Sequence, residues 1–205
     1  MKNIKETFEI VSIEELSFYN QLISEDELTE KKIKKIEAMI RGSYEYKNYI
    51  QYLKDELDIT KCSFIEGIDK NEISSVTLEF HHTPLTLYDI VEIIAKYLLD
   101  TRLDEELKIS NFDIAKLVVK EHYLGNIGLV PLTKTSHELA HSNAIVIPRE
   151  KIYGNYNEFI QNYRKYIPDH TMTKVYNLIK YRNEDELNKI NNKFKDITIS
   201  KIAKD

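Results

Sequence analysis

The sequence predicts an α+β fold, and three patterns carry that expectation. Ser or Thr followed three residues later by Glu recurs ahead of apolar runs at helical spacing, which marks capped helix starts. Between Ile73 and His81 the apolar period drops from near four to two, the pattern of a half-buried strand. Ile127-Gly128-Leu129-Val130 and Ala144-Ile145-Val146-Ile147 are short apolar runs, each long enough for one strand.

Taken in order, Ser12 with Glu15 and Ser24 with Glu27 predict two helix starts. Ile33, Ile36, Met39 and Ile40 form the stripe of one helix, and Gly42 breaks it. Tyr46, Ile50, Leu53 and Leu57 form the inner face of the next. In the strand, Val76, Leu78 and Phe80 alternate with Thr77, Glu79 and His81, so Glu79 and His81 share its polar face. Pro84 turns the chain into a helix from Tyr88 to Leu99, followed by a second from Phe112 to Tyr123. Thr135 with Glu138 predicts a short helix from Ser136 that bears His137 and His141. The C-terminal third reads as helices over Asn157 to Tyr166, Thr173 to Tyr181 and Glu184 to Phe194.

A length of 205 residues suits one domain, or one domain with an appended subdomain. Mean hydropathy is -0.44, and no apolar run approaches the roughly 20 residues that span a bilayer, so no membrane association is expected. The N-terminus lacks an apolar segment behind its lysines, and a single cysteine, Cys62, excludes a disulfide framework within the chain. These features predict a cytoplasmic protein. The net charge of -5 counts against a nucleic-acid partner as an average, but it is unevenly spread. Residues 1–28 and 69–110 each carry -5, whereas residues 149–182 carry +4.

Four of the six histidines form two tight pairs. His137 and His141 are four apart on one helix, so both rings project from one face and can share a cation. His81 and His82 are adjacent at the end of a strand, so their rings point to opposite sides. One of them can bind a metal while the other serves as general base. His122 and His170 have no partner at a telling spacing and read as surface or packing residues.

The string Leu78-Glu79-Phe80-His81-His82-Thr83-Pro84, followed by Leu129-Val130-Pro131-Leu132-Thr133-Lys134-Thr135-Ser136-His137-Glu138-Leu139-Ala140-His141, resembles the HNH endonucleases of the ββα-metal superfamily. The resemblance covers about residues 74–148. It implies a strand–strand–helix core holding a divalent metal ion, which hydrolyses phosphodiester bonds in DNA before RNA. It also implies that His81, His137 and His141 bind the metal and that His82 is the general base. Glu79 would orient the His81 ring. A histidine set suits Zn, Ni or Mn better than Mg. Together with the style of the sequence, the resemblance suggests a phage or bacterial source, hence a bacterial or phage-infected host cell.

The pattern departs from that family in two places. Its usual Asn, nine positions before the first helix histidine, is Gly128 here, which leaves Asn126 to orient the His82 ring through a shifted loop. The span between the doublet and the second strand is also long, and residues 86–123 read as an acidic helical insertion that could cover the site, bind a protein partner or block DNA. The expected organisation is an N-terminal helical region (1–71), a ββα-metal core with that insertion (72–148) and a basic C-terminal helical region (149–205).

The same residues also spell HExxH, as His137-Glu138-Leu139-Ala140-His141, the pattern of zinc metallopeptidases in which the Glu is the base. Glu150 and Glu158 are the candidates for its third ligand. A non-catalytic DNA- or protein-binding relative is a further alternative. In the basic segment, Arg149, Lys151, Arg164, Lys165 and Lys174 are candidates to track phosphates, with interleaved tyrosines to stack on unpaired bases.

Overall fold

A computed structural model describes residues 17–24, 27–73, 76–102, 108–142 and 144–180. The fold is α+β. In chain order its elements are β1 (Leu22–Ile23), α1 (Glu30–Gly42), α2 (Tyr44–Asp55), β2 (Leu78–His82) and α3 (Leu87–Arg102). There follow β3 (Ile109–Ser110), α4 (Asn111–Tyr123), β4 (Leu129–Thr133), α5 (Lys134–His141), α6 (Tyr156–Tyr163) and α7 (Asp169–Lys180), with single 3-10 turns at Arg149–Lys151 and Arg164–Tyr166. The expected helix starts at Ser12 and Glu184 lie outside the described residues.

Local chemistry sets the helix boundaries. Thr29 caps α1 by accepting from the Lys32 amide, whereas the Ser24–Glu27 pair closes only a turn ahead of it. Ser43 does two jobs: its hydroxyl donates to the Ile40 carbonyl and accepts from the Tyr46 amide, ending α1 and starting α2. Ser110 and Asp113 form a full capping box at α4. Thr133, not Thr135, caps α5 by accepting from the Ser136 amide, so that helix starts two residues earlier than its sequence pattern indicates.

Helix α3 is the centre of the molecule. Leu87, Ile90, Val91, Ile93, Ile94 and Ala95 are all at most 1 % exposed, on more than one face, because α1, α4 and the C-terminal helices surround it. Each fully buried Ile or Leu there contributes roughly 1.5–3 kcal/mol. One apolar core takes Ile33, Ile36 and Ile40 from α1, Ile114 and Val118 from α4 and Phe159 from α6, so all three expected regions share it. The stretch over 86–123, expected as an insertion, is thus the middle of the core rather than an appendage. Its apolar faces are used internally, because two amphipathic helices bury more surface against the flanking helices than a short hairpin alone provides.

Two antiparallel strand pairs accompany the helices, β1 with β3 and β2 with β4. The second pair sets His81 opposite Val130 and His82 opposite Leu129. β4 runs through Pro131 to Thr133, further than the apolar run alone indicates. Ala144–Ile147 is not a strand: the stretch bends, burying Ile145 and Ile147. Phe80 joins the main core, while Val130, Leu132 and Ile147 form a small second core with Phe64, Ala140 and Ile152 against it.

Among the described residues, no helix is long and apolar enough to cross a membrane.

Candidate metal centre

Strand alternation decides which histidines meet. On β2, Glu79 and His81 occupy one face and His82 the other. β4 lies beside β2 and leads through Thr133 directly into α5, which folds back over the Glu79–His81 face. The i, i+4 pair His137 and His141 thereby arrives over His81. Ring centroids are 5.1 Å apart for His81–His137, 4.8 Å for His81–His141 and 4.5 Å for His137–His141, all close to perpendicular. One ring nitrogen from each lies within 4.8 Å of the other two.

The cluster is graded in exposure. His81 is 8 % exposed, and its Nδ1 is buried with no hydrogen-bond partner. His137 is half-buried and His141 is exposed. Burial pulls His81 down to a pKa of about 4, helped by the nearby His141, His137 and Arg41. Burial also lowers His137, with His141 adding to the effect and Glu79 opposing it. These two rings are therefore neutral at pH 7 and present lone pairs. Three converging imidazoles with one orphaned buried nitrogen fit a transition-metal ion such as Zn, Ni or Mn, and fit Mg poorly, since Mg prefers oxygen.

Several expected assignments change. Glu79 does not orient His81: its Oε2 sits 2.7 Å from Nδ1 of His137. His82 is 5 % exposed on the core side of β2, with Nε2 3.1 Å from Nε2 of His122. The Val118 carbonyl lies 2.8 Å from His122 Nδ1 and can only accept, so His122 Nδ1 donates and His82 supplies the proton between the two rings. Tyr46 stacks on His82, and Tyr46 and Tyr49 meet His122 edge-on. Burial holds the His82 pKa well below its ordinary value and that of His122 at about 4. His82 thus lies among Tyr46 and His122 on the face of β2 opposite the three-histidine cluster, an arrangement that argues against the general-base role. His122 is fully buried packing with a specific partner 40 positions away, which local spacing cannot reveal.

Asn126 does not reach His82 either. Its side chain donates to Glu121 Oε2 at 2.8 Å, while the Tyr163 hydroxyl donates to Glu121 Oε1 at 2.9 Å, tying the end of α4 to α6. At Gly128, a Cβ would meet the Thr83 carbonyl oxygen at 2.1 Å and the Ile152 side chain at 3.0 Å. A side chain at the position of the family's usual Asn is excluded by the backbone that folds over it.

For the peptidase pattern, the third member of the group is the upstream His81, and neither Glu150 nor Glu158 belongs to it. α5 has only eight residues, with His137 at its fourth.

The basic segment divides in two. Lys174 binds both oxygens of the buried Asp89 at 2.8 Å, and Lys165 lies 2.6 Å from Asp100, so acids of the 86–123 stretch neutralise both lysines. Arg149, Lys151 and Arg164 are exposed. Tyr156 and Tyr163 are core residues, whereas Tyr153 and Tyr176 are exposed; Tyr181 and Arg182 lie outside the described residues.

No curated protein and no solved structure matches the chain. A family model described as bacteriophage G278-like virion protein matches it over residues 1–204, and the chain belongs to that family.

Proposed function

We propose that the chain binds one divalent transition-metal ion through His81, His137 and His141 and hydrolyses phosphodiester bonds in nucleic acid, DNA before RNA, as an HNH-like endonuclease. The observation that carries this reading is the convergence of three imidazoles between a strand and the helix that follows its partner strand. A divalent ion in such a set supplies Lewis acidity toward a phosphoryl oxygen and lowers the pKa of a water that it binds. His81, His137 and His141 hold the ion with nitrogen ligands and leave the exposed side, next to His141, open to a substrate. Arg41, half-exposed and steadied by Glu37 at 2.9 Å, adds positive charge felt by His81 and His137, which suits an anionic substrate. Arg149, Lys151 and Arg164 are the remaining candidates for phosphate contacts, and His82 has no part in the chemistry. The family's virion description favours action in the phage particle or the infected host cell.

A second reading is an ion that only pins α5 to the β2–β4 strand pair. It is favoured by the burial of His82, which leaves the site without its expected base. A plasmid-nicking assay across Mg, Mn, Ni and Zn separates the two. Nicking by the wild type that is lost in His81→Ala and His137→Ala but kept in His82→Gln supports the endonuclease. Stoichiometric metal without cleavage of DNA or RNA supports the pin.

A further inference from the structure

Glu79 faces the three-histidine cluster without belonging to it. It lies two residues before His81 on the same face of β2, and α5 crosses that face so that Glu79 Oε2 is 2.7 Å from His137 Nδ1. With the Glu79 carboxyl oxygen accepting, Nδ1 of His137 carries the proton, and the neutral ring keeps its lone pair on Nε2. Among the described residues, the group whose donor atoms converge comprises the three histidines and excludes Glu79, as a carboxylate behind the His137 ring would be. His81 is the counterpart: its Nδ1 is buried without a partner, so no hydrogen bond competes for that nitrogen.

We propose that Glu79 is the positioning residue of the metal centre: it fixes His137 as the Nδ1–H tautomer, commits Nε2 of His137 to the cation and so sets the affinity, with His81 binding through Nδ1. This rests on the three-histidine reading of the site. A carboxylate behind a ligating imidazole holds the ring in orientation and raises its basicity, and losing such a partner typically weakens metal binding by about 10- to 100-fold. Glu79 also joins the strand to the helix, so the one contact orients a ligand and holds together the two elements that supply the set. Its side chain is 38 % exposed, so its truncation leaves the apolar core intact.

The test measures Zn affinity by competition with a chromophoric chelator for the wild type, Glu79→Ala, Glu79→Gln and His137→Ala, and reads the His137 tautomer in the metal-free protein by long-range proton–nitrogen NMR. The expected result is a protonated Nδ1 on His137 in the wild type, a mixture of tautomers in Glu79→Ala, and an affinity loss in Glu79→Ala of about 10- to 100-fold. Glu79→Gln keeps an oxygen able to accept the same bond and should recover most of the loss. Wild-type affinity in Glu79→Ala, or a bare Nδ1 on His137 in the wild type, overturns the proposal while the three-histidine reading stands. A wild-type chain that takes up no Zn removes both.

Discussion

The two faces of the β2–β4 strand pair are built on different physics. On one side Phe80 enters a continuous apolar core around α3, and even the polar member of that face, His82, is closed off by a hydrogen bond to His122 and by Tyr46 and Tyr49. On the other side α5 is an eight-residue helix whose only fully buried residue is Ser136, lying over a small cluster of Val130, Leu132 and Ile147. A helix of that length is marginal without tertiary support, and here little of the support is apolar. What faces β2 instead is the imidazole pair of His137 and His141. The core side therefore holds itself together, whereas in the proposed reading the α5 side is organised for a ligand.

Breaking the core side should have the largest effect. Deleting residues 86–123 removes α3 and α4 and should abolish folding, seen as loss of a cooperative melt; a folded deletion variant would contradict the central place of α3. Ile94→Ala should cost about 2–5 kcal/mol in denaturant unfolding and leave Zn stoichiometry unchanged in the folded fraction. On the α5 side, Zn at a hundredfold excess over its dissociation constant should stabilise the wild type by about 2.7 kcal/mol, and His137→Ala should show no such gain. Hydrogen exchange should locate that protection in residues 134–141 rather than in α3. His82→Ala should leave His122 without its partner and cost roughly 1–3 kcal/mol while metal uptake persists, a direct contrast between adjacent residues of one strand.

A pH titration sharpens the same contrast. His122 has a folded pKa of about 4 against an ordinary 6.5, so between those values the unfolded chain binds the more protons. Its contribution is complete above pH 6.5 and is lost as pH falls toward 4. The metal-free protein should lose stability across that window, with His81, His82 and His137 acting in the same direction, and His122→Phe should remove part of the dependence. The smallest effect is expected at Lys165, whose pair with Asp100 is exposed and screened by solvent: Lys165→Ala should leave the unfolding midpoint nearly unchanged.

Much of the helical frame was legible because it depends on periodicity and local caps: Ile33, Ile36 and Ile40 declare α1, and the run from Leu87 to Leu99 declares α3. The pairing of His81 with His137 and His141 was legible for a similar reason, since strand alternation and i, i+4 spacing are local rules. Long-range partners were not. Nothing near His122 announces His82, and nothing near Lys174 announces Asp89, because both pairs close across the whole packed core. Glu79 was placed on the correct face but with the wrong ring, since alternation gives a side of the strand and not which helix residue lies over it. The apolar run over residues 127–130 stops at Pro131, yet β4 continues through that residue, because a two-stranded pair has no central strand from which proline is excluded. The α5 cap at Thr133 was missed because Thr135 and Glu138 offer a competing capping-box pattern two residues on.

The central claim is that the face of the β2–β4 pair under α5 is a metal centre. Metal analysis after Zn loading and exhaustive dialysis tests it most directly, with wild type, His81→Ala, His137→Ala and His82→Gln in parallel. The account predicts one Zn per chain in the wild type and in His82→Gln, and none in the other two. Equal Zn in all four, or none in the wild type, would contradict it.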